Sequence, residues 1–382
     1  MRILLLALFL ASTSVSAQTG QKLSLEDIFK RGIFAARTIQ SLPSMKDGQS
    51  YVSARYDDKG QVYLAKNSYS TGEEIKRLFS QSDLIYQGDT LDLSREFSND
   101  ESKVMLSSDE ESIYRHSIRA NYFVYELETK KITPVSASGK QLFATFSPDA
   151  SKVAFVRDNN LFVKDLSSGS EKQITTDGKN NRIINGRSDW VYEEEFSFAQ
   201  AFFWSPDGSK IAYYKFDESE VPEYSMTVFD GLYPSEYKYK YPKAGEKNSK
   251  VSIHVYHLSS GETKRMDTGT IEDQYIPRVK WTTSSDLLCI LRMNRHQNQL
   301  DYLLANASNG SARTILTEKD KYYIDIELER LTFLKNGRQF INTSERDGYN
   351  HIYLYDLKGN IIRQLTKGNW EVSNFIGFDE KN

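Results

Sequence analysis

Phe146-Ser147-Pro148-Asp149 is followed by the apolar runs Val153-Ala154-Phe155-Val156 and Leu161-Phe162-Val163. Ser-Pro-Asp is turn chemistry, since proline presets φ while Ser and Asp bond back to nearby backbone. The two runs after it are short, apolar and rich in β-branched and aromatic side chains, as buried strands are. The phrase returns at Trp204-Ser205-Pro206-Asp207-Gly208, which leads into Ile211-Ala212-Tyr213-Tyr214. Weaker copies begin near Phe97-Ser98-Asn99-Asp100, Val279-Lys280-Trp281 and Phe333-Leu334-Lys335-Asn336-Gly337, with a degenerate one near Leu42. The copies also close alike, through Val163-Lys164-Asp165-Leu166-Ser167-Ser168-Gly169, His257-Leu258-Ser259-Ser260-Gly261 and Tyr355-Asp356-Leu357-Lys358-Gly359, each a glycine turn before a last strand. About six copies at a spacing of roughly 40 to 75 residues match the period of propeller blades with some insertions. The expected fold class is all-β, a β-propeller. A β-sandwich is the alternative, but sandwiches rarely repeat one four-strand phrase so often.

Composition agrees. Aromatics make up 13% of the 382 residues, with 24 Tyr and 20 Phe, which favours pleated, half-buried strands over helices. A net charge of −3 supplies no basic field for a phosphate backbone, so nucleic acid is excluded as a partner. Met1-Arg2, the apolar run Ile3 to Ala11, and Val15-Ser16-Ala17 have the pattern of a secretory signal peptide cut after Ala17. The expected organisation is therefore a signal peptide over 1–17, an N-terminal helical segment over 18–40 with Ser24 as the cap, and a propeller over 41–382. The expected location is outside the cytoplasm, periplasmic or secreted, with no membrane span after cleavage. Cys289 is the single cysteine and sits in the apolar run Leu287-Leu288-Cys289-Ile290-Leu291, which points to a buried thiol and rules out an intrachain disulfide.

Two inserts break the rhythm: the segment from Asp189 to Phe198, and Asp217 through Lys250, read as long loops, where function concentrates in repeat scaffolds. The first holds three consecutive acids in Asp189-Trp190-Val191-Tyr192-Glu193-Glu194-Glu195-Phe196. Like charges side by side repel, so a folded chain that keeps them beside aromatics can be reserving them for a cation. Asp189 can cap a short helix and place Glu193, Glu194 and Glu195 in its first turns. An ammonium has three donors, and two carboxylates can accept from it in charge-assisted bonds. The competing reading is a solvated acidic face. Arg115 has an equally plain alternative, a surface ion pair with Glu110 or Glu111. The five histidines show no metal-ligand spacing, so no metal and no cofactor are expected.

The acidic stretch resembles the double-glutamate motif of the dipeptidyl peptidase IV family, within the prolyl oligopeptidase group of serine peptidases. Trp204-Ser205-Pro206-Asp207-Gly208, Glu220-Val221-Pro222, Glu223-Tyr224-Ser225, Tyr241-Pro242-Lys243-Ala244-Gly245, Asp347-Gly348-Tyr349-Asn350-His351 and Thr366-Lys367-Gly368-Asn369-Trp370-Glu371-Val372 resemble that family's propeller in the same order. The resemblance implies an eight-bladed propeller of which about six blades lie in this chain. It implies that Glu194 and Glu195 hold the substrate's N-terminal ammonium, and that Glu193 is a flanking position without an assigned role. Tyr114-Arg115-His116-Ser117 resembles the segment whose arginine binds the substrate's backbone carbonyl, which implies that role for Arg115. The implied activity is removal of N-terminal dipeptides with Pro or Ala second, the implied partner a peptide N-terminus, and a homodimer is implied for the full-length form.

The chain departs from the family pattern at Asn382, soon after Phe375-Ile376-Gly377-Phe378 starts another blade. The family's α/β-hydrolase domain, with its Ser, Asp and His, has no counterpart here, and no Gly-x-Ser-x-Gly elbow occurs in the sequence. The expectation is a C-terminally incomplete propeller with no catalytic residues, which binds substrate but does not cleave it alone. A stand-alone propeller acting as a protein-interaction module is the alternative.

Overall fold

In a computed structural model of the chain, residues 23–36, 42–93, 96–326 and 330–380 are described. They divide into a short N-terminal unit ending at Pro43 and a large unit from Ser44 onward. The expected signal peptide, 1–17, lies outside the described residues. In the N-terminal unit a single helical turn spans Glu26–Lys30, and the Ser24 hydroxyl accepts from the Asp27 N–H at 3.0 Å.

The repeated turn is a ring of side-chain bonds. Ser147 Oγ donates to Asp149 Oδ1 at 2.6 Å, Asp149 Oδ1 accepts from the Ser151 N–H at 3.1 Å, and Ser147 Oγ accepts from the Lys152 N–H at 2.9 Å. Ser205, Asp207, Ser209 and Lys210 repeat the ring at 2.7, 2.9 and 2.9 Å, and Ser98, Asp100, Ser102 and Lys103 at 2.6, 3.1 and 3.0 Å. Asn99 takes the proline's place in the last, so the Ser-x-Asp pair rather than proline defines the turn. The Ser147 bond pulls the Asp149 carboxyl down to about 2, against the opposing push of burial.

Between these turns lie antiparallel sheets. The first is Ser50–Tyr56, Val62–Ser68 and Glu74–Ser80. The second unit, Glu96–Phe97, Lys103–Ser112, Ile118–Glu126 and Ile132–Pro134, joins the third, Gln141–Phe146, Lys152–Arg157, Asn160–Asp165 and Glu171–Gln173, where Gln141 pairs with Ala120. The fourth consists of Ile183–Asn185, Phe202–Trp204, Lys210–Asp217, Lys250–His257 and Thr263–Arg265. Gln274–Trp281, Leu287–Asn294, Gln299–Asn306 and Ala312–Lys319 form the fifth, and Thr332–Phe333, Gln339–Ser344, His351–Asp356 and Ile361–Gln364 the sixth.

Alternation along the strands shows how these sheets pack. In Lys152–Arg157, Val153 and Phe155 enter a core with Met105 and Val124 of the second unit, while Ala154 and Val156 enter another with Ile211 and Tyr213 of the fourth. In Lys210–Asp217, Ile211 and Tyr213 face back to the third unit, and Ala212, Tyr214 and Phe216 face Val279, Ile290 and Leu303 of the fifth. Successive side chains in a strand point to opposite faces, so both faces of these sheets are buried by neighbours. A two-sheet sandwich would leave one face of each sheet in water. The architecture is that of a β-propeller.

Close packing between neighbouring units leaves no room for a side chain at one closing turn. Gly359 has φ +90°, and a Cβ there would lie 1.5 Å from the Ile315 carbonyl oxygen. Gly359→Ala is expected to cost more than about 2 kcal/mol, through strain at positive φ and the clash. Gly169, with φ +72° and open space around it, is the control. Gly169→Ala carries only the backbone strain, about 1 kcal/mol. Urea midpoints of the two variants check the difference.

The insert from Asp217 to Lys250, read from sequence as a long loop, contains a two-stranded hairpin of Glu223–Val228 with Ser235–Lys240. Tyr224 stands opposite Tyr239 across it, their ring centroids 6.3 Å apart. A cross-strand aromatic pair of this kind stabilises a ribbon that has no sheet of its own to join.

Candidate functional site

The acidic stretch folds as helix α1 (Trp190–Glu195), capped by Asp189. The Asp189 carboxyl accepts from the Tyr192 N–H at 2.9 Å and from the Ser249 hydroxyl at 2.5 Å. Burial pushes that carboxyl above its ordinary range, with the Ser249 and Tyr192 bonds opposing. Six residues are too few to hold a helix by propensity alone, so tertiary contacts must fix it. Tyr192 supplies them. Its ring centroid lies 5.0 Å from Phe196, 4.9 Å from Phe216 and 6.3 Å from Tyr275, and its hydroxyl accepts from the Ile276 N–H at 2.9 Å. The helix is thereby pinned to the fourth and fifth sheets. At its other end Trp190 lies 4.1 Å from Tyr241, centroid to centroid.

Consecutive helical residues point about 100° apart, and the three acids diverge accordingly. Glu193 is fully buried, and its carboxyl accepts from the backbone N–H groups of His116 at 2.7 Å and Ser117 at 2.8 Å and from the Ser117 hydroxyl. Glu194 meets Arg115, with Nε 3.1 Å from Oε2. Glu195 is exposed and has no side-chain partner among the described residues. All three acids lie within the first two turns of the helix, Glu193 in the first.

Arg115 sits in the turn between Lys103–Ser112 and Ile118–Glu126, closed by the Ile113 N–H donating to Ser117 O at 2.8 Å. The alternative partners are engaged elsewhere: Glu111 pairs with Arg119 at 2.6 Å and with Lys140, and Glu110 accepts from Ser107 at 2.8 Å. Arg115 reaches Glu194 through Nε, its side chain 71% exposed against 19% for Glu194, and its two terminal nitrogens make no bond among the described residues. Arg115 pairs with Glu194 alone among the described residues, so its two terminal nitrogens remain as donors to spare.

Near the Asp189 cap lie two buried polar residues that the sequence does not announce, Arg187 and Glu218. Arg187 donates to Asn159 Oδ1 at 2.9 Å and to Ser188 O at 3.1 Å. Glu218 is 5% exposed and its carboxyl makes no hydrogen bond or ion pair among the described residues. Burial pushes it up to about 7, with Arg187 opposing. A carboxyl raised in the folded state stabilises the fold below its unfolded pKa, and that stability is lost as pH rises through the folded value. Between the ordinary 4.5 and about 7 this group's contribution falls by about 3 kcal/mol. The unaltered chain is therefore expected to lose stability from about pH 5 to about pH 8 relative to Glu218→Gln, which lacks the titration. Urea midpoints at the two pH values check it.

The remaining candidates are structural. His254 stacks on Tyr213 at 5.4 Å, and burial pushes it down to about 4. His351 is buried, with ring nitrogens 3.1 Å from Thr366 Oγ1 and 3.0 Å from Gly368 O. Cys289 is buried in Leu287–Asn294. Among the described residues no group of three or more His, Cys, Asp or Glu side chains is arranged to hold a metal, and no helix is long and apolar enough to cross a membrane.

The family model for the dipeptidyl peptidase IV (DPP IV) N-terminal region matches residues 98–382. The chain is 34% identical to the dipeptidyl peptidase 4 of Arthroderma otae over 285 residues, covering 70% of this chain and 36% of that protein. It is 32% identical to the dipeptidyl peptidase 4 of Trichophyton tonsurans, covering 75% of this chain and 38% of that protein. Among solved structures, the dipeptidyl peptidase 4 of Porphyromonas gingivalis matches with a TM-score of 0.85 and 39% identity, over 94% of this chain and 51% of that one. The chain thus spans about half the length, or less, of the relatives it matches. Residue pattern, sheet packing and these likenesses agree: the chain belongs to the dipeptidyl peptidase IV family and carries its N-terminal propeller region.

Proposed function

We propose that this chain is the substrate-binding propeller of an exported, dipeptidyl peptidase IV-like serine exopeptidase that removes N-terminal dipeptides with Pro or Ala at the second position. The observation that carries the reading is the meeting of Arg115 with Glu194, 79 residues apart in sequence, while Glu195, the next residue of the chain, is exposed. A peptide's ammonium is received by Glu194 and Glu195. The terminal nitrogens of Arg115 donate to the first backbone carbonyl, since a guanidinium presents several donors in a fixed fork. An extended dipeptide spans about 7 Å, so a clamp held at a fixed distance from a nucleophile selects the bond after the second residue. In this reading the nucleophile and its partners belong to the hydrolase domain that follows the propeller in the family, and the propeller supplies recognition.

The test is calorimetric titration of the chain with alanyl-proline amide and with its N-acetylated form. The reading expects the free amine to bind at least about thirtyfold more tightly, because acetylation removes one charge and its charge-assisted bonds, worth about 2 kcal/mol or more. Equal affinities would refute it.

A further inference from the structure

We infer that Glu193 is a positioning residue: it fixes the turn that carries Arg115 against the helix that carries Glu194 and Glu195, and so sets the spacing between the ammonium and carbonyl subsites. The inference rests on the reading of the site given above. Glu193 accepts from the N–H groups of His116 and Ser117, the two residues that directly follow Arg115, and from the Ser117 hydroxyl. It is 0% exposed, and no lysine or arginine pairs with it among the described residues. A buried carboxyl group without a cation depends wholly on its hydrogen bonds, so the turn and the helix keep each other in place. The guanidinium itself is exposed and ends a long, rotatable side chain. Its position relative to Glu194 therefore follows from where the backbone at 115–117 is anchored. The anchor is the residue next to Glu194 on the same helix, so an error in one subsite is carried directly to the other. Tyr114 adds a second hold, its ring 6.1 Å from Tyr239 on the hairpin.

A purely structural role for Glu193 predicts a different dependence on Arg115, and a double-mutant cycle separates the two. The affinity of the 382-residue chain for alanyl-proline amide is measured by calorimetry in the unaltered form, Glu193→Ala, Arg115→Met and the combined variant. If Glu193 acts through Arg115, Glu193→Ala weakens binding at least about tenfold alone and less than about twofold once Arg115 is gone. Glu193→Gln retains affinity to within about threefold, because its Oε1 still accepts from both N–H groups and the Ser117 hydroxyl turns to accept from the amide. Ser117→Ala removes one bond and leaves two. It is the milder probe for a Glu193→Ala chain that does not fold, and its loss of about threefold must likewise vanish in the Arg115→Met background. Equal losses in both backgrounds, or no loss in either, overturn the positioning role while the site stands. A chain that binds free and acetylated dipeptide alike overturns the site and the inference together.

Discussion

Replacing Glu194 and Glu195 together by glutamine is expected to lower the affinity of the chain for a free N-terminal dipeptide by about a hundredfold or more. In the proposed clamp each carboxylate would offer the ammonium a charge-assisted bond worth about 1.5 to 3 kcal/mol, and an amide oxygen would recover part of that, which leaves an expected net loss near 3 kcal/mol. The loss has a signature that a merely weakened fold does not share. Affinity for the acetylated peptide, which has no ammonium, changes little. The advantage of the free amine also fades as pH rises past its own pKa of about 8, because the neutral amine has no charge for the acids to hold. Glu194→Gln alone acts in two ways, since it removes one acceptor and also releases Arg115 from the pair at 3.1 Å. The two single variants are thus expected not to add up to the double variant. Calorimetry of the four forms, with each peptide and at two pH values, checks all of this, and a double variant that binds as the unaltered chain does would contradict it.

Tyr192→Ala is expected to have the largest effect on the fold around the site. The side chain is almost completely buried among Phe196, Phe198, Tyr214, Phe216 and Tyr275, and its hydroxyl accepts from the Ile276 N–H at 2.9 Å. Truncating a buried aromatic to alanine costs about 3 to 5 kcal/mol, and stranding the Ile276 N–H adds about 1 kcal/mol or more. Tyr192→Phe keeps the ring and loses only the acceptor, at about 1 to 2 kcal/mol. The helix is too short to survive without this anchor, so Tyr192→Ala is expected to abolish peptide discrimination even under conditions where the rest of the propeller remains folded. Urea unfolding followed by tyrosine fluorescence gives the stability change, and the free-versus-acetylated comparison gives the functional one. A Tyr192→Ala chain within 1 kcal/mol of the unaltered one, as an order of magnitude, would contradict the packing described.

What was legible in the sequence follows the range of the interactions. The Ser147–Asp149 and Ser205–Asp207 turns close within six residues, so their chemistry is written locally and read correctly. Val153-Ala154-Phe155-Val156 is a short unbroken apolar run, which already carries the information that both faces of its strand are covered. The Asp189 cap spans three residues and was equally visible. Arg115 and Glu194 are brought together by the packing of whole sheets, and no local pattern announces that. The likeness to a family implies a substrate-binding role for each, and their ion pair shows only in the fold. Glu193 was the costliest miss. In sequence it is one acid of three, and only the fold reveals that it points inward to the turn after Arg115. The hairpin at Glu223–Val228 and Ser235–Lys240 reads as loop because it lies in an insert that breaks the repeated blade phrase, although its alternating tyrosines are a strand signal. The burial of Arg187 and Glu218 leaves no trace in sequence, since a lone Glu is by default a surface residue.

A crystal structure of the chain with a bound tripeptide shows whether the adjacent acids at 194 and 195 grip a peptide's N-terminal ammonium. The terminal nitrogen is expected within about 3 Å of both carboxylates, and the first carbonyl oxygen at the Arg115 guanidinium. A peptide bound elsewhere on the propeller, or one bound here with its amino group turned away from Glu194 and Glu195, would contradict it.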